Sequence, residues 1–264
     1  MNKLSIITIN FNHKEGLKRT IDSIVNQTFT DYEWIVVDGG STDGSKELLE
    51  QYKDKFTWWC SEPDKGVYNA MNKGITHATG EYVNFMNSGD YFASPTILEE
   101  VFFKSYTADI LYGQMTRGSI NGCVNNITMM RPNLHWWDFY NSTFNHQATF
   151  IHLDLFNKYG LYDESYRALG DWRHFAELFC IRKVSCEYLP LVIAVYEGGG
   201  ISDDKKALLE KDRIRKELFP MVSQSEVIEL TYIERCNRYW LSKRMYFLLT
   251  RGTNRIIKFI KKIK

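Results

Sequence analysis

Hydrophobic and polar positions alternate between two periods along the first ninety residues. Residues 4–10 form a β-rich apolar run, and Leu17, Ile21, Ile24 and Val25 then recur at helical spacing. Trp34-Ile35-Val36-Val37 is short, apolar and β-branched, as in a strand covered on both faces. A helix carrying Leu48 and Leu49, a strand at 56–60, a helix with Val67, Met71 and Ile75, and a strand over Tyr82–Met86 complete the series. This order predicts an α/β fold with a mostly parallel sheet and helices on both faces. In such sheets ligands bind beyond the carboxyl ends of the strands. The polar clusters at 8–12, 38–43, 61–66 and 87–90 fall at those ends or in the adjoining connections.

The second half is less regular. Ser94-Pro95 reads as a helix start running through Val101 and Phe102. Strands are expected near 109–115 and 124–131, followed by the aromatic segment 135–140, a strand over Ala148–Ile151, and a helix from Asp171 to Arg182. Gly198-Gly199-Gly200 marks a break, after which the pattern is helical to the end with an interruption near Gly252.

Composition narrows the class. The 264 residues are 44% hydrophobic and 25% charged, with a net charge of +1, as in an ordinary globular enzyme. No apolar run approaches the ~18 residues of a membrane span, and no signal-peptide pattern opens the chain. Five scattered cysteines without CxxC spacing argue against a disulfide framework or zinc site and for a reducing, cytoplasmic setting. The charge is uneven: from Arg235 onward there are ten Lys/Arg and no acid, leaving 23 basic against 32 acidic groups before it. An acidic body with a basic tail suits anionic lipid rather than nucleic acid. In that tail Ile256, Ile257, Phe259, Ile260 and Ile263 share one helical face and Lys258, Lys261, Lys262 and Lys264 another, the pattern of an interfacial helix. A helix docked on protein fits the same pattern.

Candidate chemistry gathers at the strand ends. Asp38, between an apolar run and two glycines, can accept hydrogen bonds from a base or ribose, or simply cap the turn. Asp90, after Asn87-Ser88-Gly89, can bridge through a hard cation to a pyrophosphate, or serve the turn alone. In Glu62-Pro63-Asp64-Lys65-Gly66, Asp64 can meet a nucleotide and Lys65 a phosphate. Asp171 opens a helix whose N-terminus favours its ionised form, as a general base or as an N-cap. His146 and Gln147, with Trp172, Trp136 and Trp137 at hand, suit the hydroxyl edge and C–H face of a sugar ring.

Taken in order over about residues 4–202, the segments Ser5–Asn12, Ile35–Gly44, Ser61–Gly74, Gly80–Asp90, His146-Gln147 and the helix from Asp171 resemble family 2 glycosyltransferases of the GT-A fold. The resemblance implies that Thr8, Asn10, Asp38 and Asp64 line a nucleotide pocket. It places Asn87, Ser88 and Asp90 where the family has an acidic Asp-x-Asp-type motif, leaving Asp90 as the single protein ligand for Mn2+ or Mg2+. It gives Gly170-Asp171 where the family has Glu-Asp, so Asp171 is the expected base. Residues 1–92 would form the nucleotide-sugar half, 93–215 the acceptor and base half, and 216–264 the basic tail.

The expected activity is inverting transfer of one sugar from a nucleotide sugar, UDP by family habit, to a glycan acceptor. The acceptor would be lipid-linked, at the inner face of the cell membrane. The Gln-x-x-Arg-Trp signature of processive synthases is absent. A non-catalytic nucleotide-sugar-binding homologue stays open because the acidic motif is reduced. A nucleotidyltransferase is disfavoured by its missing glycine-rich first loop, and a dinucleotide oxidoreductase by the lack of GxGxxG.

Overall fold

The computed structural model describes residues 2–118, 126–128, 132–199, 207–223 and 226. Residues 1–218 form one compact unit and 219–264 a second. The proposed lysine-faced helix at 256–264 lies outside the described residues.

The first strand, β1 (Leu4–Asn10), is buried along its whole length, and β2 (Tyr32–Asp38) runs parallel beside it. Both lie inside the sheet, so apolar residues cover both faces and no alternation is visible. Helix α1 (Lys14–Val25) buries Leu17, Thr20, Ile21 and Ile24. Helix α2 (Ser45–Tyr52) buries Leu48 and Leu49 and leads through a short turn to β3 (Trp58–Ser61). Helix α3 (Val67–His77) then precedes β4 (Tyr82–Phe85). Strands β1 to β4 are mutually parallel in the order β3-β2-β1-β4, so their carboxyl ends share one edge.

Beyond β4 the sheet becomes mixed. It continues as β8 (Thr149–His152), β6 (Ile110–Arg117), β9 (Cys186–Tyr196) and β5 (Tyr91–Phe92), with β7 (Asn126–Thr128) alongside β6. Strand β8 is antiparallel to β4 and to β6, whereas β9 runs parallel to β6. Helices α4 (Ile97–Val101), α5 (Trp136–Asn141), α6 (Asp154–Tyr159), α7 (Gly170–Ala176) and α8 (Ala207–Leu218) complete the first unit.

Two elements differ from the sequence pattern. Helix α4 starts later than Ser94-Pro95, with Thr96 as its N-cap residue. Of the strand expected at 124–131, β7 is present and the rest lies outside the described residues. Strand β9 escapes the periodicity altogether, because Pro190 interrupts its apolar run. The register against β6 jumps there, from Tyr112↔Tyr188 to Gln114↔Val192, so the proline sits in a bulge where no ladder N–H is needed.

Among the described residues no helix is long and apolar enough to cross a membrane.

Candidate functional site

Parallel register stacks the last residues of three strands side by side: Asn10 pairs with Asp38, and Asp38 with Ser61. Asp38 is fully buried. Its carboxylate accepts hydrogen bonds from Asn10 Nδ2 at 2.7 Å, Ser61 Oγ at 2.7 Å, and the Ser41 hydroxyl and backbone N–H at 2.5 and 3.0 Å. Burial pushes its pKa up, but the Ser41, Ser61 and Asn10 hydrogen bonds outweigh that and hold it below the ordinary range. Asp38 is therefore an ionised anchor that aims Asn10 and shapes the 38–44 turn.

Above this edge opens a cleft of about 750 Å³. Of the residues singled out by sequence, Asn10, Asp64, Asn87, Ser88, Asp90, His146, Gln147 and Asp171 border it together. Asp64 is gripped by Lys73 at 2.6 Å, and the same ammonium reaches Glu62 at 2.8 Å.

Asp90 is 5% exposed. Gln147 Nε2 donates to its Oδ2 at 2.8 Å and the Glu197 backbone N–H to its Oδ1 at 3.1 Å. Burial pushes its pKa up to about 6, only partly offset by the Gln147 hydrogen bond, by His146 and by the Glu197 backbone N–H, while the Glu197 charge works the other way. Thr20 of α1 pins the turn before it, accepting from the Gly89 N–H at 3.0 Å and donating to the Asp90 carbonyl at 2.7 Å.

Asp171 sits in the first turn of α7. Tyr68 Oη donates to its Oδ1 at 2.9 Å, the Trp172 N–H to the same oxygen at 2.8 Å, and His146 Nδ1 to its Oδ2 at 3.1 Å. The opposite ring nitrogen of His146 faces Asn87 Nδ2 at 3.1 Å, which leaves the imidazole proton on Nδ1. Burial raises the Asp171 pKa, while the hydrogen bonds from His146, Tyr68 and Trp172 bring it below the usual value. It is a carboxylate at neutral pH.

The structure moves four expected contacts away from the cleft lining. Thr8 is fully buried and its hydroxyl accepts from Trp34 Nε1 at 3.0 Å. It supports β1 from beneath, two residues before the strand reaches the edge. Lys65 is exposed and does not border the cavity. The cation placed against Asp64 is Lys73 of α3 instead. Trp172 is 3% exposed, donates from Nε1 to the Phe139 carbonyl at 2.7 Å, and carries Lys211 Nζ 4.9 Å over its ring. One helical step of about 100° separates it from Asp171, which turns its ring into the core rather than toward an acceptor. Asp38 likewise shapes the pocket from below without lining it.

Several cleft residues were not singled out by sequence: Phe11, Asn12, Tyr68 and Glu197. Phe11 is 66% exposed, and large exposed rings at strand ends are a recognisable binding signal. Glu197 had one faint sign, an acid directly before a glycine run.

Asp90 has a single donor on each carboxylate oxygen, so both keep a free lone pair. The neighbouring buried Asn87 Oδ1 has no hydrogen-bond partner. Among the described residues no group of three or more His, Cys, Asp and Glu gathers as a metal cage. These residues fit a hard cation held by one carboxylate, its remaining ligands coming from a bound diphosphate and water.

A parallel β3-β2-β1-β4 edge, opening on a cleft that joins an acidic turn to a helix-borne aspartate, is the GT-A arrangement. The sequence model of glycosyl transferase family 2 matches residues 5–167, and the chain belongs to that family. It is 43% identical over 98 residues to an uncharacterized glycosyltransferase of Mycobacterium tuberculosis, a match covering 37% of each chain. It thus spans well under two thirds of that relative. It is 29% identical over 226 residues to a PGL/p-HBAD biosynthesis glycosyltransferase of Mycobacterium bovis, covering 80% of this chain and 82% of the relative. Among solved structures, S. aureus TarS 1–349 in complex with UDP-GlcNAc superposes with a TM-score of 0.65 at 19% identity, over 95% of this chain and 76% of that one.

Proposed function

We propose that this chain is an inverting, non-processive glycosyltransferase that moves a hexose from a UDP-sugar to a hydroxyl of a growing glycan. One observation carries the reading: Asp90 and Asp171 border the same cleft and are joined through adjacent residues, Gln147 on Asp90 and His146 on Asp171. A site that needs a cation-side acid and a base-side acid within one substrate length has both. The UDP-GlcNAc complex of the TarS neighbour and the biosynthetic glycosyltransferase relatives support the choice of donor and reaction class.

The nucleotide would lie over the Asn10–Asp38 edge, with the exposed Phe11 ring offering a face to the base. Gly66 and Val67, at the N-terminal end of α3, border the cleft where the diphosphate would run, and backbone N–H groups there favour an anion. A Mg2+ or Mn2+ ion held by Asp90 would supply charge neutralisation to the departing diphosphate. Asp171, ionised and aimed into the cleft, takes the proton from the acceptor hydroxyl as that oxygen attacks the anomeric carbon from the face opposite the leaving group. His146 and Tyr68 hold the carboxylate in line. Gln147, besides steadying Asp90, stands where an acceptor hydroxyl would enter.

The acceptor we propose is lipid-linked. The ten basic residues from Arg235 onward would hold the enzyme against anionic lipid at the inner membrane face, each contributing ~1 kcal/mol near the surface. Flotation on anionic liposomes, with and without residues 252–264, tests this. Equal flotation of the two forms would end the membrane reading.

A screen of UDP-sugars with Mg2+ or Mn2+, read by mass spectrometry of products on lipid-linked acceptors, tests the activity. Donor binding with neither transfer nor donor hydrolysis would favour the non-catalytic alternative.

A further inference from the structure

Helix α3 belongs by sequence to the nucleotide half, yet it is stitched to the segment that carries the base. Asn72 Nδ2 donates to the Tyr162 carbonyl at 2.9 Å and to Glu164 at 3.0 Å, while its Oδ1 accepts from the Tyr162 N–H at 3.0 Å. Asn69 Nδ2 reaches Glu164 at 3.0 Å. One turn nearer the cleft, Tyr68 crosses to α7 and donates to Asp171 at 2.9 Å.

The crossing depends on a glycine. A Cβ at position 170 would stand 2.9 to 3.0 Å from three atoms of the Tyr68 ring, so close that the ring would have to shift. Gly170 begins α7 in an ordinary helical conformation, so nothing in its own backbone calls for glycine; the approach of the ring does. Tyr68 is itself 3% exposed. Burial, reinforced by the facing Asp171 charge, keeps its phenol protonated, and it is therefore always a donor.

We propose that Tyr68, seated against Gly170, is the positioning residue of this enzyme's base, tying the orientation of Asp171 to the helix whose first turn borders the donor diphosphate. The inference rests on the reading of Asp171 as the base. It explains why the position before Asp171 holds glycine where the family has Glu: the space a side chain would take is filled by the tyrosine ring. His146 supplies the second fixed bond, on the other carboxylate oxygen. Together they leave Asp171 one direction in which to meet an acceptor hydroxyl.

The test compares Tyr68→Phe, Gly170→Ala, the double variant and Asp171→Asn, each as the full chain. Turnover, UDP-sugar affinity by calorimetry with Mg2+, Tm and the pH profile of turnover are measured for each. Tyr68→Phe is expected to lower turnover about tenfold with donor affinity within twofold of the parent. Gly170→Ala should do the same by displacing the ring. The double variant should be no worse than the poorer single variant, since both changes remove one bond.

The pH profile separates positioning from packing. The groups facing Asp171 are Tyr68 from α3, His146 before β8, Tyr162 in the preceding loop, and His174 on its own helix. Without the phenol, burial is opposed by fewer hydrogen bonds, so the base takes up its proton at higher pH. The acid-side fall in turnover should therefore begin at higher pH in Tyr68→Phe than in the parent. Parental turnover in Tyr68→Phe, or a drop in Tm with an unmoved pH profile, overturns the inference while an inactive Asp171→Asn keeps the base reading. Parental turnover in Asp171→Asn overturns that reading itself.

Discussion

His146 donates Nδ1–H to Asp171 at 3.1 Å, so one side chain just before β8, its tautomer set by Asn87 on the opposite nitrogen, orients the carboxylate. The next residue, Gln147, binds Asp90. Two consecutive side chains thus address the two acids of the cleft, and their spacing along the backbone helps set the separation of Asp90 and Asp171.

Replacing Asp171 by Asn should keep the shape of this arrangement and remove the proposed base. Turnover is expected to fall about 10²-fold or more, the usual range for a positioned general base. Donor affinity should stay within about twofold, because the proposed nucleotide position is over the Asn10–Asp38 edge rather than at Asp171. Steady-state transfer assays alongside donor calorimetry check both halves. A parental rate would remove Asp171 from the chemistry.

Asp90→Asn separates metal-linked donor binding from folding. The parent should gain thermal stability when UDP and Mn2+ are added together, by mass action on the folded state. The variant should lose most of that gain while its Tm without ligand stays at or above the parental value, since it no longer buries a carboxylate. An undiminished ligand-induced rise in Tm would take Asp90 out of the cation site.

Much of this site was legible because parallel strands deliver their last residues to one edge. Asn10, Asp38, Asp64 and Asp90 could be placed near each other from strand order alone, as each follows or ends an apolar run. What the chain pattern did not reveal was side-chain direction. Thr8 and Asn10 share a face of β1 by their even spacing, yet only Asn10 reaches the rim, because the strand buries the earlier residue. Trp172 neighbours the proposed base in sequence and points away from it in space, as helix geometry requires. Glu197 was hidden for another reason. Its position depends on β9, whose pairing with β6 and β5 is long-range and whose apolar run is broken by Pro190. The glycine run after Glu197 is a faint sign of a turn and does not encode that contact.

Phe11 offers a prediction about the donor. Its ring is two-thirds exposed on the cleft wall beside the Asn10–Asp38 edge, an arrangement that offers a flat face to a nucleobase. Stacking of that kind is worth ~1–3 kcal/mol per base. Phe11→Ala should raise the donor KM about tenfold or more with little change in kcat, and Phe11→Tyr should restore it. A donor KM unmoved by Phe11→Ala would place the base elsewhere.

Asp38 links stability to pH. Its folded pKa is lowered, so the folded state binds protons less readily than the unfolded chain, whose Asp titrates near ~3.9. The stabilisation is fully present above that unfolded value and is lost as pH falls through the lower folded one. Asp38→Asn sets an amide N–H₂ against donors from Ser41, Ser61 and Asn10. It should cost about 1–3 kcal/mol at pH 7, with the deficit shrinking at the most acid pH where the parent still folds. Urea unfolding at a series of pH values measures this. A deficit that grew toward acid would reverse the assignment.

Gly89 holds the turn between β4 and Asp90, and two separate constraints meet there. Its φ is +101°, a conformation costly for any residue with a Cβ. A Cβ would also stand 2.2 Å from Glu197 Oε2, so the carboxylate paired with Arg19 and His13 would have to move. Because the Glu197 N–H also bonds Asp90, that displacement reaches the cation-side acid. Gly89→Ala is expected to lower Tm, with backbone strain alone contributing about 1–3 kcal/mol, and to weaken metal-dependent donor binding. Glu197→Ala in the same chain relieves the contact but not the dihedral. The double variant should therefore recover part of the donor affinity lost in Gly89→Ala while its Tm stays depressed. If Gly89→Ala binds donor and metal as the parent does, the turn does not transmit to Asp90.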